Sequence, residues 1–180
     1  MTGRVIAVVG PSGVGKDSVM SGLKSLMPDL HLVRRVITRD PSLGGEDYDA
    51  VSPDEFNAMQ RSGAFALHWG AHNLRYGVPI TVNYQLKKGT DCLVNFSRKA
   101  LSEGADIFPN FLVLNITASS ETLARRLAAR GRETTDEIAQ RIAVAQKTLP
   151  AGLNTIEVSN DGPLAETVAR AAALIQPVRA

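Results

Sequence analysis

GPSGVGKDS occupies residues 10–18 and comes within one residue of the phosphate-loop pattern G-x-x-x-x-G-K-[S/T]. Gly10, Gly15 and Lys16 fall in register, with Gly13 between them, and Asp17 stands where a hydroxyl residue is usual. The flanks carry the context the pattern requires. Val5–Val9 is a continuous apolar run of strand length, suited to a parallel strand buried on both faces. From Lys16 the period becomes helical: Val19, Met20, Leu23, Leu26 and Met27 share one face, and Pro28 closes the segment. A strand, a glycine loop and a helix in that order form an anion site, in which backbone N–H groups of the loop face phosphate oxygens at the helix N-terminus. Lys16 adds a point charge for the β- and γ-phosphates. Gly10, Pro11, Ser12, Gly13, Val14, Gly15, Lys16, Asp17 and Ser18 are therefore read as the nucleotide-binding loop.

Asp17 is informative. A carboxylate 4 Å from a phosphate charge is repelled by about 4 kcal/mol at an effective dielectric of 20. Beside Mg²⁺ it is favourable, because that ion takes carboxylate and phosphate oxygens together. The expectation is that Asp17, helped by Ser18, organises Mg²⁺ with ATP; a cap on the helix dipole is the structural alternative.

Working outward, further apolar runs at 32–38, 92–96, 111–117 and 154–160 read as strands. Segments 65–69 and 75–78 read as shorter ones. Helices are expected over 52–63 (Ser52 capping, Pro53 in the first turn, Glu55 closing a capping box), 80–89, 119–133, 134–146 and 163–175. Alternation of strand and helix predicts an α/β fold: a P-loop core with a five-stranded parallel sheet flanked by helices. Gly and Pro are dispersed and no repeat or linker interrupts the chain. At 180 residues it suits one domain, burying roughly 70% of its unfolded surface without a staple.

Net charge is +2, too little for a general nucleic-acid binder and suited to a local anionic ligand. The single cysteine, Cys92, lies in an apolar run and reads as a core thiol. No signal peptide or membrane span is legible, so the expectation is a cytoplasmic protein with no membrane partner. The oligomeric state stays open, with a homodimer among the options. His31, His68 and His72 form no zinc spacing with Cys92, and no Ser-His-Asp or Cys-His arrangement appears.

The ordered set GPSGVGKDS, VITRD, EDYDAVSPDEF, RYGVP, RGRE, EIAQRI and VSND resembles the guanylate kinase family over nearly the whole chain. The resemblance implies a core (1–34, 81–118, 146–180), an acceptor-binding insertion at about 35–80 and a lid at about 119–145. It implies that Arg130, Arg132 and Arg141 clamp the transferring phosphoryl, with Arg126 as a further contact, and that Asn160 meets the adenine. Arg39, Tyr48 and Tyr76 match residues that hold the acceptor's phosphate; the second arginine expected there is Ser42. The base-reading positions are His68 and Val78, so both groups that read guanine are gone. Arg75 and Arg98 are additional cations. GKDS, ITRD, LHW, RYGVP, VNFSR and NDG together resemble the ribose 1,5-bisphosphate phosphokinase branch of that family. This implies phosphorylation of a sugar bisphosphate held by Arg39, Tyr48, His68, Arg75, Tyr76 and Arg98, giving 5-phosphoribosyl 1-diphosphate in phosphonate breakdown. A nucleoside monophosphate kinase and a non-catalytic binding module are the competing readings; the intact loop and arginines argue against the second.

Overall fold

The computed structural model describes residues 2–40, 46–131, 134–145 and 148–176. Strand β1 (Val5–Val9) is fully buried and lies at the centre of a five-stranded sheet. The order is β2 (His31–Leu32), β7 (Cys92–Asn95), β1, β8 (Phe111–Thr117) and β9 (Thr155–Ser159), all parallel. The five-stranded parallel sheet expected from the sequence is present. Pleating sends alternate β1 residues to opposite faces. Ile6 and Val8 join a core built with α1 (Lys16–Leu26), α5 (Ser120–Arg130) and α7 (Leu164–Ile175). Val5, Ala7 and Val9 join a second core. Its helical wall is α3 (Val82–Lys87) and α4 (Leu101–Ile107), preceded by a 3-10 turn at Arg98–Ala100. Helix α6 (Thr135–Ala145) packs on α5. Cys92 is buried, and burial raises its thiol to about pKa 11.

The second core also receives a second sheet, of order β4 (Asp49–Ala50), β3 (Val36–Ile37), β6 (Leu74–Pro79) and β5 (Phe65–Ala71). Its inner face contributes Leu67, Trp69 and Val78. Helix α2 (Pro53–Arg61) covers its outer face, Phe56 stacking on Phe65 at 4.6 Å. The expected capping box forms: Ser52 Oγ accepts from Glu55 N, and Glu55 accepts from Ser52 N.

Three expectations are corrected. The run 32–38 is not one strand. Val33 N still donates to Leu93 O in the first sheet, but Arg35 O accepts from Asp49 N in the second. The chain changes sheets across Arg34–Arg35, so Val36–Ile37 pairs with β4 and β6. Leu26, expected inward, is exposed; Leu23 and Met27, four residues apart, hold the inward line and Leu26 falls beside it. Helix α4 is a further element; its apolar Leu101 and the Phe108 that caps it flank a Gly104 pressed between Phe96 and Phe111.

Helices α1 and α7 meet at Gly22, where an added Cβ would stand 2.5 Å from Val168 Cγ2. Alanine normally favours a helix interior by about 1 kcal/mol. Here overlap with a stiff β-branched side chain outweighs that gain, and overpacking costs about 1–3 kcal/mol. Gly22→Ala is expected to lower the urea midpoint with the m-value unchanged; a raised midpoint would show that α7 simply moves aside.

Candidate active site

The loop after β1 turns through two left-handed residues, Gly13 (φ 84°) and Gly15 (φ 92°). Side chains are excluded there by space as well as by backbone: a Cβ on Gly13 would stand 3.1 Å from Leu127, and one on Gly15 would stand 2.9 Å from Asn160 Nδ2. Lys16 opens α1 and folds back over the loop, its Nζ donating to Gly10 O (3.0 Å) and Pro11 O (3.4 Å). Burial lowers its pKa to about 8, against the opposing pull of Asp17; the charges of Arg35 and Arg98 push the same way as burial, and Glu46 opposes them.

The loop is fastened from beneath. Asn160 Nδ2 donates to Val14 O (2.8 Å), and Arg126 donates to Val14 O (3.2 Å) and Asn160 O (2.7 Å). Arg126, implied as a phosphate contact, spends its guanidinium on carbonyls that hold the loop. Asn160, implied as an adenine contact, is buried with its amide under the loop. Asp161 next to it accepts from Ser119 N (2.8 Å) and Ser159 Oγ (2.7 Å), which hold its carboxyl well below the usual carboxylate range and tie β9 to the start of α5. From above, Arg141 on α6 donates to Ser12 Oγ (2.7 Å). The side chain of Arg130 and the whole of Arg132 lie outside the described residues, as does Ser42.

On the far side of Lys16 a polar chain crosses from the loop to the second sheet. Asn95, at the end of β7, directs its amide to Asp17 Oδ1 and to Glu46 Oε2, 3.3 Å each. Glu46 accepts from Arg35 Nε (3.2 Å) and Arg35 Nη2, a nearly buried ion pair. The Arg35 guanidinium lies over Tyr76 (4.9 Å) and Trp69 (5.7 Å), whose rings stack at 8°. Neither Arg35, Glu46 nor Asn95 was singled out from the sequence. Partners 49 and 78 residues apart give no local signal.

The residues expected to hold the acceptor divide into two groups. Tyr76 faces inward. Its hydroxyl is raised above its ordinary pKa, first by burial and then by Glu46 and Tyr48, against Arg35 and Arg39. Arg39 and Tyr48 thus lie near it, Tyr48 donating to Asp40 O (3.0 Å). Arg39 also lines an open hollow of about 440 Å³ with Ser52 and Glu55. Arg98 follows β7, and burial lowers its pKa. His68 and Arg75 do not join this group. Successive strand residues point to opposite faces, so Arg75 cannot point with Tyr76, nor His68 with Trp69. Arg75 lies over Phe56 (5.9 Å) and donates to Asn57 Oδ1; His68 packs edge-on to Phe56 and Phe65. Both sit on the face that α2 covers. Val78, the other base-reading position, is fully buried. Among the described residues no three His, Cys, Asp or Glu side chains form a metal cage. Asp17 and Ser18 are exposed at the helix start, where their oxygens suit a hard cation that keeps most of its ligands from phosphate and water.

A central strand ending in this loop, with a lysine opening the next helix and cations on both sides, defines a P-loop phosphotransferase fold and site. The chain belongs to the guanylate kinase family, whose model matches residues 2–175. It is 51% identical over 99% of its length to the ribose 1,5-bisphosphate phosphokinase PhnN of Ruegeria sp. (strain TM1040), covering 94% of that protein. It is 43% identical over 96% of its length to the protein of the same name from Rhizobium etli (strain CIAT 652), covering 89% of it. Among solved structures, guanylate kinase from Anaplasma phagocytophilum superposes with a TM-score of 0.71 at 20% identity, over 97% of this chain and 85% of that one, a likeness of fold.

Lys16→Met is expected to lower turnover by at least about a hundredfold, as loss of one preorganised charge does. The unfolded state binds the Lys16 proton more tightly than the folded state, so Lys16 costs the free enzyme stability below pH 8. That cost is relieved as pH rises from about 8 towards 10.5. The melting temperature of the variant minus that of the wild type should therefore fall between pH 7 and 10; a difference independent of pH would mean that Lys16 is not desolvated.

Proposed function

We propose that this chain transfers a phosphoryl group from ATP to ribose 1,5-bisphosphate, giving 5-phosphoribosyl 1-diphosphate and ADP. The observation that carries the reading is the 51% identity, over almost the whole chain, to a protein named ribose 1,5-bisphosphate phosphokinase. The site supports it. A purine acceptor needs polar groups that pair with its edge, and a site lacking them discriminates poorly. Val78 is buried and His68 faces α2, so neither offers such a group to the cleft. What faces the cleft is a set of cations suited to a sugar with two phosphates.

The loop at 10–18 holds the ATP phosphates and Lys16 bridges them. The second sheet with α2 is the acceptor-binding insertion, and α6 carries the lid's Arg141 onto the loop through Ser12. Arg130 and Arg132 complete the clamp. Arg39, Tyr48, Tyr76 and Arg98 receive the acceptor. The attacking atom is a phosphate oxygen already ionised at neutral pH, so the chain's task is to align it and spread charge rather than remove a proton. Mg²⁺ with ATP neutralises the phosphate oxygens when bound, and Asp17, with Ser18, is placed to orient it. The reaction is cytoplasmic. No helix of the described residues is long and apolar enough to cross a membrane.

Phosphorus NMR of the protein with Mg·ATP checks this reading. A diphosphate doublet is expected with ribose 1,5-bisphosphate and no product with GMP; GDP formation would make the chain a nucleotide kinase. Asp17→Ala should raise the Mg²⁺ concentration for half-maximal activity at least tenfold. An unchanged value would leave Asp17 as a helix cap alone.

A further inference from the structure

We propose that Arg35 and Asn95 form a seat for a phosphate of the acceptor, and that the Glu46 carboxylate fills this seat in the free enzyme and yields it when the acceptor binds. The inference rests on the reading above only in taking the acceptor to be a phosphate ester.

Arg35 is 5% exposed, and a guanidinium so far out of water needs an anion beside it. Its orientation is set by more than that anion: the flat group lies over the stacked rings of Tyr76 and Trp69. The fork is therefore held in place by packing and presents its Nε–Nη2 edge outward. Glu46 accepts there with both oxygens and takes a third hydrogen bond from Asn95 at 3.3 Å. Two donors of an arginine fork plus an amide are what a phosphate would receive. The carboxylate thus stands in for a phosphate on donors that would suit one.

Place favours a substrate over a purely structural pair. Asn95 shares its amide with Asp17, the residue after the loop lysine, so the seat adjoins the loop. The charges of Arg35 and Glu46 both reach Lys16. An acceptor attacking the terminal phosphate of ATP must place its own phosphate at this junction. The charge balance also favours exchange. Lys16, Arg35 and Arg98 face two carboxylates, Asp17 and Glu46, and replacing the second by a phosphate dianion neutralises the cluster more fully. The side chain of Glu46 is 17% exposed against 5% for Arg35, so the carboxylate has a path to water that the guanidinium lacks. Arg75, one of the additional cations expected at the acceptor, lies over Phe56 on the face that α2 covers and leaves this position to Arg35.

The test is calorimetric titration of acceptor into the full chain with saturating ADP on the loop, for wild type, Arg35→Gln and Glu46→Gln. Arg35→Gln is expected to weaken acceptor binding at least tenfold. Glu46→Gln keeps the shape, removes the competing charge and is expected to tighten binding at least threefold, a gain no structural role for Glu46 produces. ADP affinity should stay within twofold in both. Acceptor affinity within twofold of wild type in Arg35→Gln, or weakened or unchanged in Glu46→Gln, overturns the proposal. Should Arg35→Gln not fold, Asn95→Ala takes its place, with at least threefold weakening expected and an unchanged affinity counting against the seat. Wild type alone decides between sugar bisphosphate and GMP. Whichever it phosphorylates is the ligand titrated, so the seat is judged separately from the identity of the acceptor.

Discussion

The two-sided parallel pairing of β1 is the constraint on which the rest depends. With β7 on one edge and β8 on the other, β1 has no freedom to slide, since a one-residue slip would turn every side chain to the wrong core. The loop therefore leaves the sheet at a fixed point. The same register sets its neighbours: Val8 pairs with Asn95, which places the Asn95 amide within reach of Asp17. Thr117 pairs with Ser159, which delivers Asn160 beneath Val14. The contacts that shape the loop are thus consequences of strand register in an apolar sheet.

Upon that sheet the chain assembles more buried charge than its folding alone requires. Burial of Lys16 costs free energy, as its lowered pKa records. The Arg35–Glu46 pair is weak support for stability, because two desolvated ions largely cancel their own attraction. Both become reasonable if the missing term is an anion supplied by substrates. Loop, Asn95 amide and stacked Arg35 form a set of donors positioned in advance, so that the charge of the transferring group meets fixed dipoles.

What the sequence disclosed follows from how local each signal is. The loop, its strand and its helix were legible because each announces itself within a dozen residues. So were the capping box at Ser52 and the closing helix. The second sheet was legible only in part, because Val36–Ile37 and Asp49–Ala50 are too short for a period to show. Arg35, Glu46 and Asn95 were invisible because their meaning lies in pairing across distant segments. His68 and Arg75 are a different case: Arg75 and Tyr76, like His68 and Trp69, are neighbours in one strand, and the pleat puts them on opposite faces. Likeness of motif located the strand correctly, and the pleat decides which of its residues reach the cleft.

That division bears on how one fold changes its acceptor. In the second sheet, the inner face carries Leu67, Trp69, Tyr76 and Val78, and only the hydroxyl of Tyr76 and the indole edge of Trp69 are polar. Such a wall offers the edge of a base few partners. It can orient a guanidinium, as it does with Arg35, and a guanidinium reads phosphate without regard to what the phosphate is attached to. If Arg35 with Asn95 seats an acceptor phosphate as proposed, with Arg39, Tyr48 and Arg98 lending further charge and hydrogen bonds, a sugar bisphosphate is held through its phosphates rather than by recognition of the ring between them. A nucleoside monophosphate offers such donors one phosphate instead of two, and its base would have to lie against largely apolar side chains with much of its polar edge unpaired.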